Sequence, residues 1–209
     1  MATKPRQPEN RRRIAIALAE SLSEKGLRST QVNDIVKRAR ISKRTFYECF
    51  PDKESAFVDL IREWNMQLQA SVERSMDPRA DWDVQIEQAI DTYIEALAAG
   101  KGVATTVSRE LYSLGERGAA LQREGIDMFA ALMVRISQRP ESARLGVEAV
   151  SMEAAVMLIG GVREIISRAI QDGDDLTASG ETVKSVIKAV VMPRGMSDVK
   201  TTTEQKGKP

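Results

Sequence analysis

The segment at residues 33–57, NDIVKRARISKRTFYECFPDKESAF, constrains the fold more than any other part of the chain. Its apolar residues recur at helical spacing, but in short runs. Ile35, Val36 and Ala39 form one such run, and Phe46 and Phe50 anchor the next, which Pro51 stops. Only a tight turn around Arg40 and Ile41 separates them. A helix of about two turns is unstable alone in water. Both runs must therefore be held by packing against a shared core. Asp52 and Glu54 then supply an N-cap and a favourable charge for the start of a longer helix. The layout is that of a helix-turn-helix.

The remainder reads as helix throughout. Upstream, Ile14, Leu18 and Leu22 make one stripe over residues 11–25, and Gly26 marks its end. Thr30 is the expected N-cap of the second helix and Ser42 that of the third. Downstream, helical periods cover residues 53–76, 82–98, 103–114, 119–137 and 142–170, and a final helix opens at Thr177 or Ser179. No region alternates with period 2, and aromatics are only 4%, so aliphatic residues do most of the packing. The expected fold is all-α, with a three-helix N-terminal helix-turn-helix domain and a C-terminal helical regulatory and dimerisation domain. The boundaries are a flexible arm at 1–10, the helix-turn-helix at 11–53, the second domain at 54–192 and a disordered polar tail at 193–209. The 142–170 helix is apolar on more than one side, and Gly160-Gly161 permits a close crossing. Either it is the central core helix, or it also packs on a second copy of the chain.

Several function classes lose ground. The chain has no histidine, one cysteine (Cys49) and no glycine-rich phosphate loop, so neither an enzyme nor a metal or cofactor site is expected. No run approaches the roughly 18 apolar residues of a spanning helix, and no apolar signal segment follows the charged start. A cytoplasmic protein is the expectation, and the single cysteine agrees with a reducing compartment. A half-buried thiol in a short helix is usually packing rather than a sensor.

Charge points to a polyanion. Residues 1–53 hold 13 Lys/Arg against 6 Asp/Glu, while residues 54–209 hold 18 against 24. If Phe46 and Phe50 face inward, then Lys43, Arg44, Thr45 and Tyr47 face outward. Ser42 and Lys43 lie at a helix N-terminus, where free backbone N–H groups attract phosphate. Lys and Arg can read guanine, and a Thr methyl can touch thymine. Thr30 and Gln31, opening the preceding helix, and Lys53, opening the following one, complete a predicted clamp on double-stranded DNA. Arg11, Arg12 and Arg13 are weaker candidates for the same partner.

The stretch from Arg11 to Phe57 resembles the DNA-binding domain of TetR-family transcriptional regulators. The resemblance rests on Gly26, Thr30, Val32, Ile35 and Ala39, on Ile41-Ser42-Lys43-Arg44-Thr45-Phe46-Tyr47, and on Phe50-Pro51-Asp52-Lys53-Glu54. It covers about a quarter of the chain and is specific as a group. Arg40 departs from the pattern, since the family often has glycine in the turn. It requires either a different backbone path or a left-handed residue strained by about 1 kcal/mol. Glu48-Cys49 also departs, and an acid beside the reading face repels phosphate. The resemblance implies a homodimer through the last two helices, a repressor of a palindromic operator and a small-molecule inducer bound in the C-terminal domain. A DNA-binding regulator or activator without an effector is the alternative. Trp64, Trp82, Tyr93, Tyr112, Met128 and Met133 are the candidate cavity residues, with Arg109, Glu110 and Arg163 as possible polar anchors. Ordinary core packing, or surface ion pairing for the three charged residues, competes at each.

Overall fold

The computed structural model describes residues 6–191, and among these there is no strand. Helix α1, Arg6–Ser29, is kinked at Gly26, where φ is 73°. Residues 6–10, expected within the arm, already belong to this helix. Residues 1–5 and the expected tail at 193–209 lie outside the described residues.

Helices α2, Val32–Ala39, and α3, Lys43–Cys49, pack on α1. Ile14, Leu18, Ile35 and Phe46 are fully buried between them, and Phe57 of α4, Lys53–Ser75, closes the core. The local signals for α3 and α4 are realised. Ser42 Oγ accepts from the Thr45 amide at 3.0 Å, and Asp52 Oδ1 accepts from the Ser55 amide at 2.6 Å. Thr30 is not the cap of α2. It is fully buried, and its hydroxyl donates to the Gly26 carbonyl at 2.6 Å. Gln31 takes the cap position, with its amide donating to Asp34 Oδ2 at 2.8 Å.

The second part of the chain comprises α5, Trp82–Ala99; α6, Lys101–Glu110; a 3-10 turn, Leu111–Leu114; α7, Glu116–Ser137; α8, Pro140–Arg144; α9, Met152–Asp172; and α10, Leu176–Val191. The expected 142–170 helix is divided. Gly146 adopts φ 77°, Val147 turns into the core, and Ser151 caps a new helix by accepting from the Ala154 amide at 3.2 Å. The last helix starts before both expected caps, with Asp175 accepting from Thr177 instead. Leu132, Leu158 and Val183 are at the centre of this core, and Trp82 Nε1 donates to the Val191 carbonyl at 3.1 Å.

The two parts meet where α6 lies on α1. Gly102 permits the approach, since a Cβ there would sit 2.1 Å from Ser23 Oγ. The Glu110 carboxylate accepts from the Leu27 and Arg28 amides at 3.1 and 2.7 Å, satisfying groups that the α1 kink exposes. Leu111 and Leu121 continue the N-terminal core into the second part.

Asp52 joins α4 to α7 through Arg117 at 3.2 Å. Hydrogen bonds from Ser55, then the Arg117 guanidinium, hold its carboxyl below the ordinary range against the opposing effect of burial. A depressed folded-state pKa contributes stability that is present above the unfolded value and lost as pH falls through the folded one. Asp52→Ala should lower the unfolding free energy by about 1 kcal/mol at neutral pH. In urea titrations over a pH series, that deficit should close below about pH 4. A deficit independent of pH contradicts the assigned role.

Candidate nucleic-acid interface

The face of α3 opposite its buried phenylalanines is open. Tyr47 is 55% exposed and the Arg44 side chain 89%. Lys43, Ser42 and Gln31 are exposed, and Thr45 is half-buried with its hydroxyl 2.9 Å from that of Ser42. Tyr47 stands edge-on against Phe46, with ring centroids 5.4 Å apart, so the buried ring steadies the exposed one. Arg44 Nε donates to Glu48 Oε1 at 2.9 Å, an (i, i+4) pair that partly offsets the positive field of this face.

Two residues expected here do not belong to the face. Thr30 is buried, as described. Lys53 turns inward, and its Nζ donates to the Leu27 and Thr30 carbonyls at 2.8 Å each. The end of α1 leaves carbonyls that lack helical partners, and an ammonium satisfies them well. Arg11 and Arg13 are also structural. Arg11 sits 4.4 Å from the Phe50 ring centroid and pairs with Asp59 at 3.3 Å. Arg13 Nη2 donates to the Ala39 and Arg40 carbonyls at 2.5 and 2.9 Å. Those bonds secure the turn, where Arg40 is left-handed at φ 52°, ψ 48°. Of the two alternatives for Arg40, the left-handed residue is the one adopted. Arg12 and Lys37 are exposed, and their side chains make no ion pair or hydrogen bond among the described residues. Arg12 is one of the weaker candidates named from the sequence, whereas nothing there distinguishes Lys37 from other surface cations. Cys49 is half-buried, and burial pushes its thiol up, the reverse of what a reactive thiol needs.

A second feature lies in the other part of the chain. A mainly apolar cavity of about 220 Å³ is walled by α4, α5, α6, α7, α9 and α10. Trp64, Trp82, Tyr93 and Met133 line it, but Tyr112 and Met128 do not. Tyr112 falls in the 3-10 turn, whose tighter winding turns it outward to 62% exposure. Met128 lies off the wall, where its carbonyl accepts from Gln69 Nε2 at 2.8 Å. Of the three possible polar anchors, Arg163 lines the cavity. Arg109 donates to the Gln171 carbonyl at 3.3 Å, and Glu110 is engaged with α1. Ala104, Val107 and Ser108 of α6 form part of the wall, and Glu110 at the end of the same helix holds the α1 kink. The cavity and the N-terminal helices therefore share one rigid element.

Residues 16–60 match the family described as bacterial regulatory proteins, tetR family. Over 65 residues the chain is 32% identical to the uncharacterized HTH-type transcriptional regulator YdgC of Bacillus subtilis (strain 168). That match spans 31% of this chain and only 33% of the relative. In fold, the chain is similar to the fatty acid degradation regulator FadR from Bacillus halodurans (TM-score 0.71, 19% identity, 90% of this chain and 96% of that one). It is also similar to Salmonella enterica GusR (TM-score 0.70, 16% identity, 90% and 97% covered). A third similar structure is the transcriptional regulator FadR from Bacillus subtilis in complex with stearoyl-CoA (TM-score 0.65, 20% identity, 84% and 96% covered).

Lys53→Met should lower stability by about 1.5 kcal/mol through loss of its bonds to carbonyls, measured by urea unfolding. Unchanged stability with reduced DNA affinity would return Lys53 to the DNA face.

Proposed function

We infer that the chain, which belongs to the tetR family of bacterial regulatory proteins, works as a homodimeric repressor that a small molecule releases from a palindromic operator. The observation that carries this reading is the linkage of two sites through packed helices: an exposed cationic face on α3, which packs on α1, and an apolar cavity walled in part by α6, which packs on α1 as well. Lys43, Arg44 and Tyr47 contact bases and phosphates, while Gln31, Ser42 and Thr45 set the register. Two α3 helices in a dimer lie about 34 Å apart, one turn of DNA.

The dimer forms through α9 and α10. Their outward faces carry Met157 at 66%, Val186 at 46% and Val190 at 52% exposure, and a Cβ on Gly160 or Gly161 would meet nothing within 4 Å. This unpartnered apolar patch supports burial against a second copy.

A mainly apolar cavity offers water few partners, and a ligand that fills it buries apolar surface of its own. A regulator without an effector gains nothing from such a space, so the cavity favours an inducible repressor. The stearoyl-CoA bound to the Bacillus subtilis neighbour supports an inducer with a large apolar part. By selecting conformers with a different placement of α6 and α4, the inducer shifts the separation of the reading helices.

Lys43→Ala combined with Tyr47→Ala should weaken binding to a DNA site selected by the purified protein about ten- to a hundredfold. Wild-type affinity should decline steeply between low and high salt, read by fluorescence anisotropy. Unchanged affinity in the double variant contradicts the reading face, and a flat salt response contradicts the phosphate contacts. For the dimer, Met157→Glu should shift the protein to monomer in sedimentation analysis, and an unaltered dimer would place the interface elsewhere.

A further inference from the structure

Among the described residues, Arg163 is the only charged residue that lines the cavity. Among the described residues its side chain has no ion pair and no hydrogen bond. A cation half-withdrawn from water with no counter-charge is costly, and such groups are normally paired. Its position on α9 excludes a role in the outward patch. It falls on the inward stripe with Ile159, Val162, Ile166 and Ile170, which all line the same cavity. Tyr93 also lines this space, where burial outweighs the opposing pull of the Arg163 charge on its hydroxyl. Burial pushes the Tyr93 hydroxyl up to about 12, so it stays protonated and able to donate.

We propose that the cavity takes an apolar monocarboxylic acid, its carboxylate held by Arg163 and Tyr93 and its chain or ring filling the space between Trp64, Trp82 and Phe129. The proposal rests on the ligand-responsive reading above and names the ligand class for that site. Charge count and size decide the class. One guanidinium matches one carboxylate, which it can hold with two parallel hydrogen bonds. Among the described residues, no Lys, second Arg, Asp or Glu lines the wall. The several negative charges of a CoA thioester find no matching cations there, and about 220 Å³ is below the usual range for drug-sized ligands. A neutral amphiphile would leave Arg163 uncompensated. The free acid fits where a thioester of the same chain does not.

The test is calorimetric titration of the full-length protein with octanoate and phenylpropanoate, and with octanol, phenylpropanol and octanoyl-CoA as contrasts. At least one acid should bind, about tenfold or more tightly than its alcohol, and octanoyl-CoA should not bind more tightly than octanoate. Arg163→Gln should weaken the acid about ten- to a hundredfold and leave the alcohol unchanged, with Arg163→Lys intermediate. Tyr93→Phe should weaken the acid by a smaller factor. The contrasts on the wild-type protein decide the matter even if a variant fails to fold. Binding of neither acid, a preference for the alcohol or the thioester, or indifference to Arg163→Gln overturns the proposal. Anisotropy with operator DNA separates it from the regulatory reading. An acid that binds through Arg163 without releasing DNA upholds the ligand class and defeats the inducer role. Release of DNA by a neutral compound, with no acid binding, does the reverse.

Discussion

Helix α3 spans only Lys43–Cys49, too short to persist in water on its own propensity. It is held by Phe46, fully buried, and by Phe50 at 4% exposure. Burying one phenylalanine is worth about 2–3 kcal/mol, comparable to what fixing so short a helix demands. Everything outward depends on that inward grip. Once Phe46 is seated, helical geometry leaves Lys43, Arg44 and Tyr47 on the solvent side, and the Ser42 cap sets where the helix starts. The surrounding cations divide their work accordingly. Arg13 and Lys53 satisfy carbonyls that the turn and the end of α1 leave open, and Arg11 covers Phe50, so these charges secure the platform from which α3 projects.

The same economy applies to the junction with the second part. The left-handed kink at Gly26 would leave amides without partners, and Glu110 receives two of them. A Cβ at Gly26 would lie 2.3 Å from Glu110 Oε1, so backbone conformation and carboxylate position are mutually fitted. With Gly102 pressed against Ser23, α6 has little room to move without carrying α1 with it. In the proposed regulation, this contact and the Glu110 carboxylate are the route from the cavity wall to the base of the N-terminal helices. Helix α4 offers a parallel route, since Phe57 belongs to the first core and Leu68 to the second.

What could be read from the sequence followed the range of the interactions involved. Ser42 and Asp52 were legible as caps because each bonds an amide three residues away. Arg40 was noticed only against the family resemblance, where glycine is usual in the turn, and the left-handed alternative is the one adopted. Lys53 was misleading because its partners lie 23 and 26 residues distant, and composition cannot tell a phosphate-seeking ammonium from one that bonds carbonyls. Thr30 looked like a cap because its type is right, but burial and the adjacent Gln31–Asp34 pairing displaced it. The break within 142–170 is carried by Gly146 and Ser151, weak signals inside an apolar run. The cavity was least legible. Trp64, Tyr93 and Met133 on its wall have the same spacing as core residues, and only the third dimension distinguishes a filled interior from a hollow one.

The central claim is that the outward face of α3, fixed by Phe46, is where the protein meets DNA. Amide hydrogen exchange with and without a selected duplex tests it most directly. The account predicts added protection concentrated at Gln31 and residues 42–48, with α9 and α10 unaltered. Protection gathered on α9 and α10, or none across α3 under saturating DNA, would contradict it.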